Sequence, residues 1–78
     1  MTKKLKEKRQ ARNLSQSQLA EKTGLNIRTI QHYEQGSKNF DHAHLSTILK
    51  ICVALDCSIA DIIEDSATLE LLKKLKEN

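Results

Sequence analysis

Between residues 28 and 35, Arg28, Gln31, His32 and Gln35 recur so that, at about 100° per residue, they share one side of a helix. That side offers a guanidinium, two amides and an imidazole. These groups suit the edges of nucleic-acid bases, since Arg pairs with guanine O6 and N7 and Gln with adenine N6 and N7. Ile30, Tyr33 and Glu34 fall on the other side. So short a helix is not stable alone, so Ile30 and its neighbours must pack on a core while the polar side is left for a partner.

The elements that position this helix are legible on both flanks. Asn26 is a preferred N-cap for a helix over Ile27 to Gln35, which Gly36 stops. Upstream, Ser15 with Gln18 three residues later forms a capping box that opens another helix, whose Leu19 and Ala20 face inward. Gly24 can take a left-handed conformation at low steric cost, so the connection shrinks to Gly24 to Asn26. Two short helices joined by a tight turn form a helix-turn-helix. Charge is concentrated around it: residues 1–38 hold nine Lys or Arg against three Glu, whereas residues 39–78 hold four Lys against seven Asp or Glu. A positive field around an outward-facing helix attracts a polyanion.

The 78 residues suffice for one domain with one small core. No apolar run approaches the roughly 20 residues of a membrane span, and the opening MTKKLKEKRQ lacks the apolar stretch of a signal peptide, which points to the cytoplasm. Cys52 and Cys57 read as reduced thiols, and neither they nor His42 and His44 have metal-ligand spacing, so no metal or cofactor is expected. There is no glycine-rich phosphate loop and no nucleophile paired with a base, and so small a domain has little room for a cleft. Those features argue against an enzyme and against a small-molecule substrate.

The remaining segments read as helical scaffold. Lys3 to about Asn13 suits a first helix anchored by Leu5 and Leu14, with Arg9 near the Leu5 side. Asp41 can cap a fourth helix carrying Leu45, Ile48, Leu49, Cys52 and Leu55 as one apolar stripe. Ser58 with Asp61 opens a short fifth helix through Ile59, Ile62 and Ile63. Asp65 or Ser66 starts a sixth, in which Leu69 pairs with Leu72 and Leu71 with Leu75. This apolar surface is broader than docking needs, so the segment either covers its own core or pairs with a second chain, with Lys73, Lys74 and Lys76 at the rim. The expected architecture is all-α: a domain over residues 1–65 and a C-terminal helix over 66–78.

Taken together, the run LSQSQLA from Leu14, then Gly24, Leu25, Asn26, Thr29, Ile30, Tyr33, Glu34 and Gly36, followed by Leu45, Ile48, Leu55 and SIADII from Ser58, closely resembles the phage-repressor and Cro-type helix-turn-helix family. The resemblance spans about Leu5 to Ile63. It implies a compact five-helix, lambda-repressor-like bundle, here with an additional C-terminal helix, whose third helix enters the DNA major groove with Ile27, Arg28, Gln31 and His32 at base-facing positions. It places Gln16, Asn26, Gln35, Ser37 and Lys38 beside phosphates, and Arg9 and Glu34 as an ion pair between the first and third helices. Ile27 departs from the polar residue often found there, and it either contacts a thymine methyl or covers the turn. The implied function is a sequence-specific DNA-binding transcriptional regulator, a repressor, acting as a homodimer on a near-palindromic double-stranded operator. A protein-interaction module, such as an antitoxin or accessory subunit, is the alternative use of the same fold.

Overall fold

A computed structural model describes residues 3–76, which form five α-helices and two single 3-10 turns with no strand among them. The helices are α1 (Lys3–Ala11), α2 (Gln16–Thr23), α3 (Ile27–Gln35), α4 (Leu45–Leu55) and α5 (Ser66–Lys76). The 3-10 turns are Phe40–His42 and Ile59–Asp61. Glu77 and Asn78, expected at the end of the C-terminal helix, and the side chain of Lys76 lie outside the described residues. None of the described helices is long and apolar enough to cross a membrane.

The core gathers Leu5 from α1, Leu19 and Ala20 from α2, Ile30 and Tyr33 from α3, and Ile48, Ile51, Cys52 and Leu55 from α4. Phe40, Ile62 and Ile63 close it from the loops. The two aromatic rings of the described chain, Tyr33 and Phe40, meet edge to face with centroids 5.1 Å apart, a favourable quadrupolar arrangement.

Three expectations are revised. Asp41 does not cap α4: it lies in the 3-10 turn that buried Phe40 anchors, and its carboxylate accepts from Glu64 N at 3.3 Å and Asp65 N at 2.9 Å. His44 occupies the α4 N-cap and makes no side-chain cap bond. The α4 stripe also divides, because its apolar residues span more than one side of the helix. Ile48, Ile51, Cys52 and Leu55 face the core, while Leu45, Leu49 and Val53, turned by about 100°, are 64%, 44% and 81% exposed. Finally, the Ser58 to Asp61 capping box opens only one 3-10 turn, which delivers Ile62 and Ile63 to the core without a fifth helix at that place.

On α5, Asp65 accepts from Thr68 N at 2.9 Å and Thr68 Oγ1 at 2.7 Å, closing the first turn. Leu69 packs against the core and Leu72 is half-buried, whereas Leu71 and Leu75 are 62% and 70% exposed. The two leucine pairs therefore face different ways.

Candidate nucleic-acid interface

Helix α2 begins on the capping box read from the sequence: Ser15 Oγ accepts from Gln18 N at 3.0 Å and Ser15 N donates to Gln18 Oε1 at 2.8 Å. It ends at Gly24, whose φ of 73° lies in the left-handed region. A Cβ there would meet nothing within 4 Å, so it is the dihedral, not crowding, that favours glycine. Buried Thr23 ties the turn, its hydroxyl donating to Leu19 O at 2.8 Å and accepting from Leu25 N at 3.3 Å. Asn26 Oδ1 then accepts from Arg28 N at 2.8 Å to open α3. Gly36, with φ of 83°, closes α3 by donating to the His32 and Tyr33 carbonyls.

Beneath α3 lies a charged network that fixes its roll. Glu34 accepts from Arg9 Nε at 2.7 Å and Arg9 Nη2 at 2.9 Å, a bidentate pair whose side chains are 10% and 3% exposed. Arg9 Nη1 reaches Leu14 O at 2.7 Å, and Gln16 Nε2 donates to Glu34 Oε1 at 3.0 Å. Side chains of α1 and α2 thus converge on one carboxylate of α3. Removing a buried charge pair from water offsets much of its attraction, so the network's main effect is orientation.

With Glu34, Ile30 and Tyr33 held inward, the rest of α3 is turned out. Arg28 is exposed, and its guanidinium makes no hydrogen bond among the described residues. Ile27 is 37% exposed, and Gln31 and His32 are half-buried. The His32 Nδ1 is buried without a hydrogen-bond partner. Of the residues expected beside phosphates, Asn26, Gln35, Ser37 and Lys38 are exposed. Gln16 is half-buried, and its amide nitrogen spends one of two N–H groups on Glu34.

The basic first half is less free than its composition suggests. Arg9 serves Glu34, Lys4 Nζ donates to Ile63 O at 2.9 Å, and Arg12 donates to Leu55 O at 2.8 Å and Asp56 O at 3.0 Å. Arg12 in this way satisfies the last carbonyls of α4, a role that sequence spacing could not reveal across 43 residues. Arg28 and Lys38 remain as exposed cations on and just after α3.

The described residues contain no group of three or more potential metal ligands. Both cysteines are free thiols, and burial followed by the neighbouring Cys57 pushes the Cys52 thiol up to about 12. An apolar cleft opens between the Ile59–Asp61 turn and α5, lined by Ile59, Ala60, Leu69, Leu72 and Leu75.

Residues 5–62 match a family model described as helix-turn-helix, more than half of the chain. Among solved structures, the crystal structure of the restriction-modification controller protein C.AhdI from Aeromonas hydrophila is similar, with a TM-score of 0.69 and 35% sequence identity over 77% of this chain and 86% of that one. No curated protein sequence matches.

Proposed function

Because this chain belongs to the Cro/C1-type helix-turn-helix family and is a DNA-binding transcriptional regulator, we propose that α3 reads the major groove of a near-palindromic operator and that binding there represses transcription. The observation that carries this is the fixed roll of α3: Arg9 and Gln16 hold Glu34 inward, which leaves Arg28 unpaired at the surface with Ile27, Gln31 and His32 beside it. Arg28 is assigned to a guanine, Gln31 to an adenine edge and Ile27 to a thymine methyl. Asn26, Gln35, Ser37, Lys38 and the remaining N–H of Gln16 are assigned to phosphates, which set register and orientation.

One such module buries too little surface for high specificity, so the proposal includes a homodimer reading two half-sites. Among the leucines of α5, Leu69 packs on its own core and Leu72 is half-buried in the cleft beside it. Leu71 and Leu75, together with Leu45, Leu49 and Val53 of α4, supply the exposed apolar surface that a two-fold contact would cover. The chain acts without catalysis or cofactor, in the cytoplasm with its DNA. Since the similar solved structure is a restriction-modification controller, promoters of restriction-modification genes are the first targets to test.

Selection of bound sequences from a random duplex pool tests this reading. It should enrich a near-palindrome whose half-sites lie about one helical turn apart. Enrichment of no motif would shift the function to an interaction module that uses the fold to hold a protein.

A further inference from the structure

His32 is the residue on the outward side of α3 whose hydrogen-bonding sense the fold constrains before any ligand arrives. Its backbone is pinned by the helix end: the His32 carbonyl accepts from Ser37 N at 2.9 Å and Lys38 N at 3.3 Å as well as from the Gly36 cap. Its Nδ1 is the single buried side-chain nitrogen or oxygen among the described residues that lacks a partner. The other ring nitrogen, Nε2, makes no hydrogen bond within the described chain and is not enclosed, so it is the one that reaches the surface.

A neutral imidazole has one N–H and one bare lone pair, and the protein decides which nitrogen carries which. An enclosed N–H with no acceptor is a desolvated donor, and orphaned buried donors are rarer than under-satisfied buried acceptors. Placing the hydrogen on Nε2 leaves only a lone pair inside and exposes the donor to whatever lies against α3.

We propose that His32 is held as the Nε2–H tautomer and acts as a fixed donor in the groove, selecting a base edge that presents an acceptor and rejecting the cytosine N4 amino group. The acceptors available to it are purine N7, guanine O6 and thymine O4. This rests on the reading of α3 as the base-contacting helix and adds to it the polarity of one contact. Gln31 differs in kind, because an amide can turn to offer either a donor or an acceptor.

The test has two arms. In the first, a long-range proton–nitrogen correlation spectrum of the free 15N-labelled protein at about pH 9, where an ordinary imidazole is neutral, should show the Nε2–H pattern for His32. Spectra of His32→Gln distinguish it from exposed His42 and His44. In the second, binding to the duplex selected by the native chain is compared for His32→Gln, whose amide reaches the Nε2 position, and His32→Asn, whose amide reaches only the Nδ1 position. Gln should bind within about threefold of the native chain, and Asn should lose about tenfold and accept cytosine at one base pair, consistent with loss of a single hydrogen bond. Melting curves of both variants separate misfolding from lost readout. An Nδ1–H pattern, or equal losses in folded Gln and Asn variants, overturns the inference while leaving α3 as the reading helix. If the native chain enriches no duplex, the reading of α3 fails and takes this contact with it, whatever the tautomer.

Discussion

The α2–α3 unit and the α4–α5 edge are built from helices of similar length, yet they are finished by different means. In α2 and α3 the ends are closed by residues within a few positions: Ser15 with Gln18, Thr23 with Leu25, Asn26 with Arg28, Gly36 with His32. Around α4 and α5 the local closures, Asp56 on Cys52 and Asp65 with Thr68, are joined by bonds from far away: Arg12 reaches Leu55 and Asp56, Lys4 reaches Ile63, and Asp41 holds Glu64 and Asp65. Their outward faces differ as well: α3 turns out mainly polar side chains, whereas α4 and α5 set exposed leucines and Val53 among Lys50, Glu70 and Lys73. The first unit turns Arg28 to the surface, on the face proposed to read DNA, whereas the second leaves Leu45, Leu49, Val53, Leu71 and Leu75 uncovered.

The largest effect is expected from the long-range bonds by which α1 holds α3. Arg9→Ala leaves the Glu34 carboxylate, 3% exposed, with Gln16 as its remaining side-chain partner among the described residues. Loss of one partner of a buried pair costs about 3 kcal/mol, which thermal unfolding should register as a fall of more than 10 °C in a domain this small. DNA affinity should fall too, measured at a temperature where the variant is still folded. An Arg9→Ala chain that melts with the native one would mean that the pair does not hold α3.

A smaller effect is expected where distant residues finish α4 and α5. Arg12→Ala removes two charge-assisted bonds to carbonyls at a partly exposed site and should cost about 1–2 kcal/mol in denaturant unfolding. Asp41→Ala frees Glu64 N and Asp65 N and should cost about 1 kcal/mol, with hydrogen exchange rising over residues 64–69 and little changed in α3. Uniform loss of protection across both regions would show that they are not separable units.

The gentlest expected effect is a pH effect at the start of α5. Two hydrogen bonds from Thr68 hold the Asp65 carboxyl below its ordinary value of 3.8. A depressed folded value means that the contribution is complete above the unfolded value and is lost as pH falls below 3.8 through the folded one. The Thr68 amide should therefore lose protection in that acid range before the α2 cap does. Protection at Thr68 that does not change from neutral pH through that range would remove the Asp65 cap.

The same division explains what the sequence discloses. The turn from Gly24 to Asn26 and the limits of α3 rest on bonds between near neighbours, which spacing reveals, and helical periodicity marks Ile30 and Tyr33 as the inward side. The pairing of Arg9 with Glu34 came from family resemblance, since nothing local marks it. Ile51 was overlooked in α4 because its apolar residues cover two adjoining sides, and only packing decides which side is inside. Asp41 has a capping residue's chemistry, but burial of Phe40 one residue earlier draws it into a 3-10 turn and toward Glu64. Arg12 and Lys4 read as surface charge until folding brings carbonyls to them.

Recognition of base sequence by the exposed side of α3 stands or falls with Arg28→Ala. Affinity for the selected operator and for a random duplex should be measured side by side for native and variant chains at fixed salt. Arg28→Ala should lose about 1–3 kcal/mol on the operator, relax preference at one base pair and change much less on random DNA. Equal losses on both duplexes would make Arg28 a phosphate contact and contradict the assignment of α3 as the reader.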